Sequence, residues 1–164
     1  SKAFLVLRSS ETGFDLAWVP AVMIVMNVVY ALGAYPAGAL SDRMSSRTLL
    51  VVGLLCLVLA DVLLALTSGV AVTLAGAACW GLHMALTQGL LSKLVADHAP
   101  ADLRGSAFGI FNLVSGVALL LASALAGWLW SSFGAAATFS AGALFALLTL
   151  GGLLVPVRNR THSD

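Results

Sequence analysis

Apolar residues run along this chain in long stretches, and the polar ones gather in short breaks between them. Crossing a bilayer as a helix takes about 20 mostly apolar residues. Five stretches reach that length: residues 17–40, 48–66, 70–95, 105–130 and 135–157. A stub over residues 3–7 reads as the outer end of a further helix. None of the stretches alternates as a barrel strand would. Hydrophobicity is nearly uniform around each one, as expected where lipid and neighbouring helices are equally apolar. The pattern therefore predicts an all-α polytopic membrane protein with five full spans plus a partial one.

Composition strengthens that reading. Hydrophobic residues make up 60% of the chain and charged residues 9%, where a soluble domain carries about a quarter charged. Mean hydropathy is +1.03. Such a chain cannot cover a water-facing surface, so the lipid bilayer is its expected partner. A net charge of +1 argues against nucleic acid. Cys56 and Cys79 lie in apolar runs without CxxC spacing or a His/Cys cluster, which gives no sign of a disulfide framework, metal or cofactor. No basic segment leading to a small-residue cleavage site opens the chain, which reads as a piece beginning inside a helix.

The breaks give an orientation. Residues 41–47 carry Arg43 and Arg47, the third break carries Arg104 with Lys93 just before it, and the tail carries Arg158 and Arg160. The alternate breaks, residues 67–69 and 131–134, carry no Lys or Arg. Basic loops stay on the cytoplasmic side, so these loops and the C-terminus are expected there, with Glu11 and Asp15 outside. Trp18, Trp128 and Trp130 then fall at the outer interface, where aromatic belts form.

The most specific local pattern is Gly38-Ala39-Leu40-Ser41-Asp42-Arg43-Met44-Ser45-Ser46-Arg47. A small residue lets helix ends approach, and an aspartate such as Asp42 can cap a helix N-terminus. A plain capped turn would use the same residues. The segment resembles motif A of the major facilitator superfamily, of the form GxLaDRxGRR, in its second copy between helices eight and nine. Gly38, Leu40, Asp42, Arg43 and Arg47 carry the match, while Ser45 stands at the inner glycine and Ser46 at one basic position. Residues 103–112, which include Arg104, resemble the start of the family's helix eleven. The resemblance implies half of a twelve-helix bundle, from the end of helix seven to helix twelve. Residues 1–164 would then be the C-terminal transmembrane half of a transporter. It also implies that Asp42 braces a helix of the N-terminal half, and it makes Gly38, Leu40, Asp42, Arg43, Arg47 and Arg104 a gating motif.

Polar residues inside the spans are few. Asp61 is the only carboxylate well within an apolar run. An ionised carboxylate there is costly, so it must be protonated, paired or beside water. Asp61 is the proton-coupling candidate, against the plainer reading that it reaches water at the interface. Asn27 and Tyr30 share a helix face. Trp80, His83, Met84, Thr87 and Gln88 form a stripe in the third span, and Phe108, Asn112 and Ser115 another in the fourth. The superfamily lines its central cavity with helices seven, eight, ten and eleven. That makes Asn27, Tyr30, Trp80, His83, Thr87, Gln88, Asn112 and Ser115 the substrate-cavity candidates. The bland alternative is hydrogen bonding between helices, at about 1 kcal/mol or less each. His83 could titrate, though a lone histidine is more often a packing residue. Arg8 could meet a substrate anion or pair with Glu11. Pro36 removes a backbone bond and predicts a kink. Gly105 and Gly109 suit tight helix packing.

The expected function is transport of a small organic solute by alternating access, coupled to protons, in the bacterial inner membrane. The N-terminal half of the same transporter would be the partner. The rivals are a membrane scaffold, which has no use for the motif-A-like loop, and an intramembrane enzyme. An enzyme needs a nucleophile with a base, but Leu113 stands where a glycine-serine-glycine motif around Ser115 needs glycine. No Walker A sequence occurs. An enzyme is therefore not expected.

Overall fold

The computed structural model describes residues 19–66 and 69–154. The stub at 3–7, Arg8, Glu11, Asp15, Trp18, the start of the first span, residues 67–68 and the tail with Arg158 and Arg160 lie outside the described residues. Four helices account for nearly all of the rest: α1 (Val19–Ser41), α2 (Ser46–Leu66), α3 (Val70–His98) and α4 (Arg104–Leu154). All four are long and apolar enough to cross a membrane.

Local chemistry sets the helix ends. After α1 the chain tightens through bonds from the Arg43 and Met44 amides to the Leu40 carbonyl, at 3.0 and 2.8 Å. Ser45 then caps α2, its Oγ accepting from the Thr48 amide at 3.2 Å, the usual N-cap geometry. The cap is thus Ser45, and not Asp42 as the sequence suggested. Gly69, at φ 148°, opens α3 in a conformation that disfavours any side chain. Ala99 ends α3 in extended conformation because Pro100 follows. Pro36 lies within α1, which continues through it.

The fourth and fifth predicted spans are joined in one helical run of 51 residues, α4. A straight helix of that length would measure about 77 Å, more than twice the hydrocarbon thickness. It is not straight. Gly134 interrupts it at φ 82° and ψ −176°, and Thr138 Oγ1 donates to the Gly134 carbonyl at 3.1 Å in the first turn beyond. Leu121 and Leu125 before the break line the same cavity as Gly142 and Phe145 after it, so the chain folds back at Gly134. The expected loop at 131–134 is replaced by one glycine hinge.

α3 is the hub and packs on both α1 and α2, while α2 also packs on α4 and scarcely touches α1. Small residues make the close approaches. A Cβ on Gly81 would stand 2.4 Å from the Met26 carbonyl oxygen of α1, so α1 and α3 meet backbone to backbone. Val22, Met26, Leu64, Ala77, Met84, Ala135 and Phe139 form the main core. Ala37, Leu49, Leu86 and Leu90 form a second one nearer the basic end. The first arm of α4, residues 104–133, has no buried residue.

Candidate functional site

The structure sorts the polar side chains into four environments. At the end where α1 meets α2, Lys93 reaches from α3. Its Nζ donates to Asp42 Oδ1 at 2.8 Å and to the Ser41 carbonyl at 3.0 Å. The cation thus sits at the α1 C-terminus, where unpaired carbonyls and the helix dipole favour positive charge. This contact and the Lys93 charge hold the Asp42 carboxyl below its ordinary value of 3.8. Arg47, at the start of α2, donates to the Leu153 carbonyl near the end of α4. Arg43 and Arg104 are exposed at the same end. Gly38 has open space around it and Leu40 is exposed. Lys93 is the participant that sequence reading missed as Asp42's partner. Fifty-one positions separate the two, and no local pattern links them.

The second environment is the α2–α3 seam. His83 is half-buried and its Nδ1–H donates to the Gly53 carbonyl at 2.8 Å. Thr87 is buried, with Oγ1 donating to the His83 carbonyl at 2.7 Å. Gly53 makes this possible, because a Cβ there would lie 2.6 Å from Thr87 Cγ2. Met84 is buried in the main core, where Tyr30 packs at its margin.

The third environment is open. Asn27 is exposed, with Nδ2 donating back to the Met23 carbonyl at 2.7 Å. Gln88, Asn112 and Ser115 are exposed as well. A Cβ on Gly105 or Gly109 would meet no packing neighbour within 4 Å. The α3 stripe is thereby split: His83 and Thr87 turn into the seam, while Gln88 faces outward.

Trp80 turns in a fourth direction. It lines a cavity of about 510 Å³ between α2, α3 and both arms of α4, and Asp61 shares that lining. Asp61 is 3% exposed. A Cβ on Gly142 would stand 2.7 Å from its Oδ2, so the second arm of α4 passes directly over the carboxyl. Among the described residues no group of three or more His, Cys, Asp or Glu is placed to hold a metal.

Comparison with known proteins agrees with the architecture. Residues 3–164 match the family model of the Major Facilitator Superfamily. An uncharacterised MFS-type transporter of Methanocaldococcus jannaschii is 30% identical over 135 residues, covering 82% of this chain and 33% of that protein. Uncharacterised proteins of Mycobacterium tuberculosis and Mycobacterium bovis are 33% identical over 114 residues, covering 70% of this chain and 27% of theirs. The chain thus spans about a third or less of the relatives it matches. No solved structure matches it. A match over nearly the whole chain, on a bundle of membrane-length helices, makes this an integral membrane protein of a transporter family and not an enzyme: the chain belongs to the major facilitator superfamily.

Proposed function

We propose that this chain is the C-terminal half of a secondary transporter that moves a small organic solute by alternating access. The observation that carries the reading is the exposure of Asn27, Gln88, Asn112 and Ser115. Asn27 and Gln88 are exposed on helices that are packed elsewhere along their length, and Asn112 and Ser115 on the first arm of α4, which buries nothing. In lipid, polar side chains belong on a bundle interior or a water-filled path, so a second half of the protein is the natural partner for these faces. Alternating access needs two such walls rocking about a site near the midplane.

In this reading the α4 arms on either side of Gly134 are separate crossings. That gives five traversals. The basic end with Arg43, Arg47 and Arg104 faces the cytoplasm of a bacterial inner membrane, along with the C-terminus. Gly38, Leu40, Asp42 and the arginines form the gate, and Lys93 holds Asp42 until a helix of the other half competes for it. Protons are the coupling ion, with Asp61 as the carboxyl that exchanges them. The mildly polar open faces suit a neutral or amphipathic solute.

The test is flux through the intact protein in liposomes under an imposed proton gradient. Saturable movement of neutral or amphipathic solutes that follows the gradient supports the proposal. Preference for a multiply charged anion, or no solute movement, overturns it.

A further inference from the structure

We infer that the cavity around Asp61 binds a monovalent organic cation with apolar substituents. The site is separate from the solute path proposed above, since Asn27, Gln88, Asn112 and Ser115 take no part in its lining. At about 510 Å³ it falls within the usual range for small-molecule sites, about 300–1,000 Å³. Four helical segments line it, and one side is open. Leu57 and Asp61 come from α2, Trp80 from α3, Leu125 from the first arm of α4, and Phe139 and Phe145 from the second.

The chemistry of the lining selects the ligand. Asp61 is its only ionisable side chain among the described residues, and Thr138 adds a hydroxyl whose proton is already given to Gly134. Asp61 is 97% buried and has no hydrogen-bond or ion-pair partner among the described residues. A buried carboxylate is costly unless it is paired or neutralised. Its two oxygens accept hydrogen bonds and attract cations, and they repel anions. Around it lie the rings of Trp80, Phe139 and Phe145, whose faces attract cations, and aliphatic walls that attract apolar groups. A cation bearing apolar arms satisfies the carboxylate and the walls together. A neutral apolar molecule satisfies the walls alone, and an anion is rejected. Gly142 lets the second arm of α4 pass this close to the carboxyl, because any larger side chain there would run into Oδ2.

The experiment is equilibrium binding of radiolabelled tetraphenylphosphonium to the intact purified protein. Tetraphenylborate, of the same shape and opposite charge, is measured in parallel. Phosphonium should bind and borate should not. Asp61→Asn, nearly isosteric, should weaken phosphonium binding by at least about tenfold, and Ala122→Phe, which fills the cavity from α4, should do the same. Equal binding of the two ions, or an unchanged affinity in Asp61→Asn, overturns the proposal and leaves an apolar pocket of the kind a lipid chain fills. Should the variants fail to fold, a photoreactive triphenylphosphonium on the wild-type protein decides. Labelling at residues 57–61, 121–129 or 138–145 supports the site, and labelling only elsewhere overturns it. Binding is read without flux, so failure of the transport reading would leave this result standing.

Discussion

α3 and the first arm of α4 are both apolar helices long enough to span a bilayer, yet their surroundings are opposite. α3 buries Thr73, Gly76, Ala77, Gly81, Met84, Ala85, Leu86, Thr87 and Leu90. The first arm of α4 buries nothing, and Ile110, Leu113 and Leu120 stand about two-thirds exposed. The less hydropathic helix is the more buried of the two. In water the order would be reversed. In lipid, the exterior offers apolar side chains as good a solvent as the interior does, so burial goes to residues that allow close packing. α3 has glycine, alanine and threonine at its contacts, whereas a Cβ on Gly105, Gly109, Gly116 or Gly127 of the α4 arm would meet nothing within 4 Å.

That contrast makes steric size the strongest lever. Gly81→Leu, which drives a side chain into the Met26 carbonyl, should cost about 3 kcal/mol or more. Gly109→Leu on the α4 arm, where nothing lies within 4 Å, should change stability by less than about 0.5 kcal/mol. Thermal unfolding of the intact protein in detergent measures both. Similar losses would mean that another part of the protein packs on Gly109 as tightly as α1 packs on Gly81.

Hydrogen bonding provides the middle-sized test. Thr87→Val removes the bond to the His83 carbonyl inside the seam and should cost about 1 kcal/mol. Ser115→Val on the open face should leave the unfolding temperature alone and alter solute affinity instead. A stability loss at Ser115 as large as that at Thr87 would erase the distinction between seam and open face.

The smallest effect is electrostatic and lies at the basic end. Because Lys93 holds the folded Asp42 carboxyl below 3.8, their contact contributes stability that is present above that value and is lost as pH falls through the lowered one. Lys93→Met should return Asp42 to ordinary carboxylate titration, followed by carbon NMR, and should flatten the acid limb of stability. The change in stability should be slight because both groups are solvent-exposed. An Asp42 titration unmoved by Lys93→Met would show that the α1 end is held by something else.

Much of the candidate site was legible, though unevenly. The Gly38–Arg47 pattern marked the turn between α1 and α2, but its internal roles were not readable. Ser45, at the position of the motif's glycine, turned out to be the cap, and Asp42 to be paired with Lys93 from another helix. Helical spacing grouped Trp80, His83, Thr87 and Gln88 into one stripe. Side chains at that spacing span a broad arc, and three surroundings divide it: α2 takes His83 and Thr87, the cavity takes Trp80, and Gln88 is left open. Asp61 was conspicuous in the sequence as a charge within an apolar run. The cavity in front of it was not, because its walls come from segments up to 88 positions apart.

What the sequence determined by itself was the solvent, the helical class and the breaks between α1, α2, α3 and α4. These follow from local quantities. Lipid cannot satisfy a bare backbone, so long apolar stretches must be helices, and serine, glycine and proline mark their ends through bonds to near neighbours. The tertiary structure decided which faces meet, where Asp61 points and what holds Asp42. In a medium as apolar as the protein interior, hydropathy distinguishes no face from another. Only the fit of small residues between helices does so, and that fit exists once the helices are side by side.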